Sequence, residues 1–346
     1  MISLEALYIF CRFSHFVAVM LMFGLNLFTI MLISGHFSTL MRERLKIGVS
    51  ISTVLALVTS IVWFIVQAGL MGDGWTDTYV PAIWLAVLET AFGQVWKWQL
   101  LIAVLAVGAL FLSHAKVRNV LLLSCSVILL SSHAFIGHAA MHEGNIGLLF
   151  QINQVIHLLS AGYWFGGLWP FLLCLQFLRL RKVSEENLYL NSKYVDSSQH
   201  EGKTGCSGRS HSERSNSERS HSGRSNSGNG STSLYAESIA AMRKFSFYGH
   251  FAVFLVIVTG IVSSAILIPG WPIFSRVLSE YQSMLWLKIV LIVGMVLLAL
   301  SNRYILVPKL RQQRCYQLLI INSWLEIILG TSALLCVAIF ATQSPA

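Results

Sequence analysis

The sequence predicts an all-α, polytopic membrane protein: a helix bundle of about eight transmembrane helices, with both termini periplasmic and no soluble catalytic domain. Three observations carry this reading. Apolar runs of about 20 residues, the length that crosses a hydrocarbon layer about 30 Å thick, recur along nearly the whole chain. Hydrophobic residues make up 55% and charged residues only 11% of the 346, against roughly 25% charged in an average soluble domain, and the mean hydropathy is +0.67. Finally, of the 24 Lys and Arg, all but Arg12, Lys97, Arg276 and Lys288 fall in alternate loops or at their helix boundaries, the asymmetry of the positive-inside rule.

Taken in order, the apolar windows lie near 5–34, 47–70, 91–113, 119–140, 148–178, 246–268, 284–306 and 317–341. The N-terminal stretch has no basic residues ahead of it and no small-residue cleavage site after a short apolar core, so a retained first span is expected. The first connection carries Arg42, Arg44 and Lys46 and is expected in the cytoplasm; the second, from Gly72 to Thr90, carries Asp73, Asp77 and Glu89 with no Lys or Arg and is expected in the periplasm. The alternation continues with Lys116 and Arg118 inside, Met141 to Gly147 outside, and Arg179 through Lys244 and Lys309 to Arg314 inside. Trp75, Trp84, Trp96, Trp98, Trp271 and Trp286 fall near the periplasmic boundary, where indole rings anchor to the interface.

Residues 1–183 thus read as spans one to five and 237–346 as spans six to eight. Between them, 184–236 is expected to be a disordered cytoplasmic linker, rich in Ser, Arg and His. It carries a repeat beginning at Gly208, Glu213, Glu218 and Gly223, each followed by Arg-Ser-His-Ser or Arg-Ser-Asn-Ser, a composition too polar to bury a core. A weak metal tether through His200, Cys206, His211 and His221 is the other reading of this stretch. The six cysteines contain no Cys-x-x-Cys pair and imply no disulfide framework. A net charge of +9 is accounted for by topology, so nucleic acid is not an expected partner, and the lipid bilayer is.

Ionisable groups within a span are costly and mark function by default. His15 lies ten residues into the first span, His157 nine residues into the fifth, and His133 seven residues before the end of the fourth. At 1.5 Å per residue these three share a layer roughly 10 to 15 Å below the periplasmic surface. Above it lie His138, Met141 and His142, the two histidines at i, i+4 on one face of a continuing helix. Imidazole and thioether together suit copper, with methionine sulfur selecting Cu(I); a bis-histidine pair on two helices suits haem b equally well, and interhelical hydrogen bonding explains any single histidine. Gln67, Lys97, Lys288 and Glu326 are expected to snorkel or bond between helices. Gly162, Gly166 and Gly167 give the fifth span a small-residue surface for close packing.

Eight segments together resemble the CopD/PcoD family of copper-resistance inner-membrane proteins. They are Arg12-Phe13-Ser14-His15-Phe16, Trp63 with Gln67, Phe92-Gly93-Gln94-Val95-Trp96, Gly137-His138-Ala139-Ala140, the stretch from His157 to Leu168, Arg243-Lys244-Phe245-Ser246, Leu287-Lys288, and the stretch from Ala299 to Leu310. The resemblance spans nearly all of the membrane portion. It implies copper transport or relay across the inner membrane, with His15, His133, His138, Met141, His142 and His157 as candidate ligands, copper ion as cargo and a periplasmic CopC-type copper-binding protein as partner. The repeat between Val183 and Ala236 is not part of that pattern. No Gly-x-x-x-x-Gly-Lys-Ser/Thr segment occurs, so nucleotide is not an expected partner; no enzymatic activity is expected, and transport would draw on a gradient or a partner protein.

The charge bias makes a direct prediction about orientation. A reporter fused after Ala346 is expected to be active only in the periplasm, and one inserted at Ser215 only in the cytoplasm. The opposite pattern of signals would invert every depth assigned above.

Overall fold

A computed structural model describes residues 3–136, 144–201, 226–267, 280–309 and 313–340. These residues form nine α-helices and no strand. They are α1 (Leu4–Leu27), α2 (Gly35–Met71), α3 (Pro81–Glu89), α4 (Ala91–Ala109), α5 (Ala115–Ser132), α6 (Gly144–Glu201), α7 (Asn226–Leu267), α8 (Glu280–Ser301) and α9 (Gln313–Phe340). All but α3 are long and apolar enough to cross a bilayer, giving eight candidate spans, in agreement with the sequence. Their outward faces carry Phe10, Ile51, Val104, Phe251 and Leu297 exposed. Such apolar faces in water would be untenable, and in lipid they are solvated.

Several boundaries differ from the expectation. α2 runs for 37 residues, about 55 Å at 1.5 Å per residue, so Arg42, Arg44 and Lys46 lie on the first turns of a helix that projects beyond the bilayer rather than in a loop. The connection from Gly72 to Thr90 contains a 3-10 turn at Trp75–Tyr79 and the short helix α3. Thr90 then caps α4, its hydroxyl accepting from the Gly93 N–H at 3.1 Å. α5 stops at Ser132 and passes into a 3-10 turn over His133–Phe135, earlier than the expected end near 140. The helices α6 and α7 extend to Glu201 and from Asn226, so both ends of the expected linker are helical. Residues 202–225, which hold all of the repeat but its last two residues, lie outside the described residues. Trp96 is fully buried, its indole N–H donating to the Ser60 carbonyl at 3.1 Å. It is a core residue rather than an interface anchor, whereas Trp75 and Trp98 are exposed as expected.

At the centre stands α1, packed against α2, α5, α6 and α9. Between helices in lipid the hydrophobic effect contributes little, so close backbone approach and van der Waals contact must hold them. Glycine provides that approach here. A Cβ on Gly24 would sit 2.3 Å from the carbonyl carbon of Gly166, and one on Gly166 would sit 2.2 Å from the Met20 oxygen. The neighbouring Gly162 receives Phe23 and Leu130, and Gly167 receives the Phe245 ring. The small-residue surface foreseen on the fifth span is therefore the face that α6 presents to α1, α5 and α7.

The crossing is open to test. Gly166→Leu is expected to destabilise the solubilised protein by about 1–3 kcal/mol through overpacking, read as a fall in melting temperature. Gly108→Leu, where an added Cβ meets nothing within 4 Å, should leave that temperature unchanged.

Candidate metal centre

His15 and His133 come together from α1 and the end of α5, their ring centroids 5.1 Å apart. Both are buried. Between them lies Gln99 of α4, whose amide nitrogen is 2.9 Å from His15 Nε2 and 3.5 Å from His133 Nε2. Ser132 bonds Gln99 Oε1 and so orients the amide.

The partners of the other ring nitrogens fix the tautomers. His133 Nδ1 lies 2.7 Å from the Leu129 carbonyl oxygen, which can only accept, so the proton is on Nδ1. His15 Nδ1 lies 2.9 Å from Thr59 Oγ1. That hydroxyl donates its own hydrogen to the Leu55 carbonyl at 2.6 Å, so again Nδ1 donates. Both Nε2 atoms are then unprotonated, and their lone pairs converge on one N–H2 group. An imidazole that donates from Nδ1 to an oxygen and presents Nε2 as a lone pair has the orientation found in metal-ligating histidines.

An aromatic wall encloses the pair. Phe16 packs on His133 with centroids 4.6 Å apart, Trp63 lies 5.6 Å from His15 edge-on, and Trp63 meets Trp96 at 4.7 Å. Arg12, one turn before His15, holds its guanidinium 5.8 Å from the Trp63 ring centroid. Arg12 Nε and Trp63 Nε1 are buried without a hydrogen-bond partner. The helix α3 closes this end of the bundle, with Val87 in the same apolar cluster as Trp63 and Trp96.

His157 is placed elsewhere. On α6, it bonds through Nδ1 to Thr259 Oγ1 of α7 at 2.9 Å, and Thr259 donates to the Leu255 carbonyl, so this ring too presents Nε2 unprotonated. One turn earlier Asn153 bonds the Thr259 carbonyl and the Ser263 hydroxyl at 3.0 and 2.9 Å. Among the described residues no group of three or more His, Cys, Asp or Glu is arranged to hold a metal ion. His15 and His133 form a pair, and His157 belongs to a second polar position where α6 meets α7. His138, Met141 and His142 lie outside the described residues.

Gln99, Thr59 and Ser132 complete the pair and did not stand out in the sequence. Gln99 had a signal: it is an amide in an apolar span, three residues after a tryptophan on the same helical face. Thr59 and Ser132 had none, because hydroxyl residues are common in membrane helices and bond their own i−4 carbonyl.

Replacing Gln99 by Leu removes the shared donor and leaves two buried lone pairs unsatisfied. A loss of about 1–3 kcal/mol is expected, measured by thermal unfolding in detergent, with Gln94→Leu, one turn away and exposed, as the neutral control.

Comparison with known proteins agrees with this architecture. Residues 1–148 match the family of copper resistance protein D-like N-terminal domains, and residues 239–340 match the copper resistance protein D family. The first region holds α1 to α5 with His15, Gln99 and His133; the second holds most of α7 and all of α8 and α9. Over 341 residues the chain is 31% identical to the inner membrane protein YebZ of Escherichia coli (strain K12), covering 96% of this chain and 97% of that one. It is 29% identical over 183 residues to copper resistance protein D of Pseudomonas syringae pv. tomato, covering 50% of this chain and 57% of that one. No solved structure matches the chain. With its eight apolar spans and full-length likeness to an inner-membrane protein, the chain belongs to the copper resistance protein D (CopD) family of multi-pass inner-membrane proteins.

Proposed function

We propose that the protein transports or relays copper across the inner membrane, with His15 and His133 as the buried ligand pair. The single observation that carries this is the convergence of two unprotonated Nε2 atoms on the Gln99 amide. An N–H2 group occupying the focus of two imidazole lone pairs stands where a cation would be held, and rotation of one side-chain amide vacates it. Two neutral imidazoles with no carboxylate provide no charge to offset a metal ion, and the Arg12 guanidinium beside Trp63 adds a positive one. In a low-dielectric site this favours monovalent Cu(I) over Cu(II), and imidazole is a suitable donor to it.

His138, Met141 and His142 then act as the outer entry, where a periplasmic CopC-type protein would hand over the ion. His157 on the α7 side is a second station rather than a third ligand of the pair. The chain acts by ligand exchange alone, with no covalent chemistry. The competing reading, haem b between two histidines, finds less support. The two imidazole centroids are 5.1 Å apart with the Gln99 amide between them and Phe16 and Trp63 alongside, so a macrocycle would have to displace these side chains, whereas a single ion displaces only the amide.

The test is Cu(I) binding by chelator competition on the full chain in lipid nanodiscs, together with cellular copper at equal expression. His15→Ala and His133→Ala are each expected to weaken bound copper by more than about tenfold, equivalent to 1.4 kcal/mol. His157→Ala should keep the bound ion and lower its movement, and His142→Ala should slow entry only. Unchanged copper binding in His15→Ala and His133→Ala would make these residues structural hydrogen-bonders, and a haem spectrum lost in the same variants would favour the cytochrome reading.

A further inference from the structure

A buried carboxyl group lies in the other half of the bundle. Glu326 of α9 is 3% exposed. Its Oε1 accepts from Asn302 Nδ2 at 2.6 Å, and its Oε2 accepts from the Trp164 indole N–H of α6 at 3.4 Å. Asn302 in turn accepts on Oδ1 from Asn322 Nδ2 at 2.9 Å. Around this chain the packing is apolar, with Trp164, Leu168 and Met295 buried together. A carboxylate offers about four lone-pair positions; among the described residues this one meets two donors, both uncharged and one of them long.

The local winding is also unusual. α8 changes to a π-helix over Asn302–Leu306, beginning at the residue that donates to Glu326. Such segments are rare and recur at functional sites. A carboxyl placed in a bilayer with only neutral donors is stabilised most simply by a proton, the one cation that needs no further ligands.

We propose that Glu326, held by Asn302 and Trp164, is an intramembrane proton-binding site. The carboxylate takes one proton from water on Oε2, the oxygen with only the long indole contact, to become the neutral acid. It later returns that proton to water, with no electron transferred. The Asn302 bond to Oε1 persists in both forms, so the site changes charge without losing its anchor. A chain with no nucleotide-binding motif thereby has a place where a proton gradient can act on it.

Other titratable groups on the surrounding elements bond elsewhere or lie along the helices from Glu326. His157 of α6, seven residues before Trp164, bonds Thr259 at 2.9 Å, and the Tyr316 hydroxyl of α9 donates to the Leu175 carbonyl at 2.9 Å. Cys174 lies ten residues beyond Trp164, and Arg314 and Cys315 lie at the start of α9. Arg303, next to Asn302, bonds the Ser246 hydroxyl of α7. His250 of α7 bonds the Ser246 carbonyl at 2.7 Å and meets the Tyr304 hydroxyl at 3.5 Å. On α6, the Tyr163 hydroxyl donates to the Phe245 carbonyl at 3.0 Å. Lys288 of α8 is 14 residues from Asn302, about 21 Å along the helix, and Cys336 of α9 is ten residues from Glu326. The ionisable residues of α1, Glu5, Tyr8, Cys11, Arg12 and His15, all lie in its N-terminal half.

The experiment is an infrared pH titration of the copper-free full chain in nanodiscs, following the protonated-carboxyl C=O band in H2O and D2O. The expected result is one buried carboxyl band that titrates, shifts on deuteration and is lost in Glu326→Gln. In Asn302→Leu, which keeps the carboxyl and removes its shortest donor, the band should move in position; this variant decides the assignment should Glu326→Gln fail to accumulate. A wild-type band that is absent, or that neither titrates nor exchanges, or that neither variant alters, overturns the proposal. Because no copper is present, failure here counts against the proton site alone, and failure of copper binding in His15→Ala and His133→Ala counts against the copper reading alone.

Discussion

In hydrocarbon a polar atom without a partner costs several kcal/mol, and the arrangement of this bundle follows from how its few buried polar side chains meet that constraint. His15, Gln99 and His133 come from three different helices and satisfy one another. To do so α1, α4 and α5 must share one depth and rotation, with α2 supplying Thr59 and Ser60 to the same ring. Phe16, Trp63 and Trp96 pack around the pair. One amide nitrogen thus serves two imidazoles at once.

The glycine crossing of α1 and α6 makes this possible mechanically. With Gly24 against Gly166, the two backbones touch, and α1 becomes the inner helix around which the others stand. The same approach leaves Trp164, two residues before Gly166, free to turn away from α1 toward α9 and Glu326. One helix face thus serves the histidine half and the opposite face the carboxyl half. The two polar centres are built differently. The first has neutral imidazole lone pairs facing an amide donor, while the second has a carboxyl group facing neutral donors.

Much of this was legible in the chain before folding. Eight spans were readable because an apolar run of bilayer length has no other use. His15, His133 and His157 were identifiable because imidazole in a span is rare and costly. The packing surface on the fifth span was readable from Gly162, Gly166 and Gly167. Trp96 was misread because sequence position gives depth but not rotation, and a tryptophan near a boundary can face lipid or the core. The end of α5 at Ser132 falls earlier than hydropathy suggests for a similar reason, since hydropathy continues past the point where the backbone leaves the α-helix.

What the residues fixed on their own were lengths, depths and chemical types, all of which depend on position along one dimension. Which polar groups meet was decided only by tertiary packing. His15 found His133 and not His157 because the azimuth of each helix is set by interhelical contact, a quantity no single span encodes. Gln99 became the link between two imidazoles for the same reason. Glu326 gained Asn302 because the winding of α8 changes at that residue, and a change of winding is chosen by the neighbours a helix must fit.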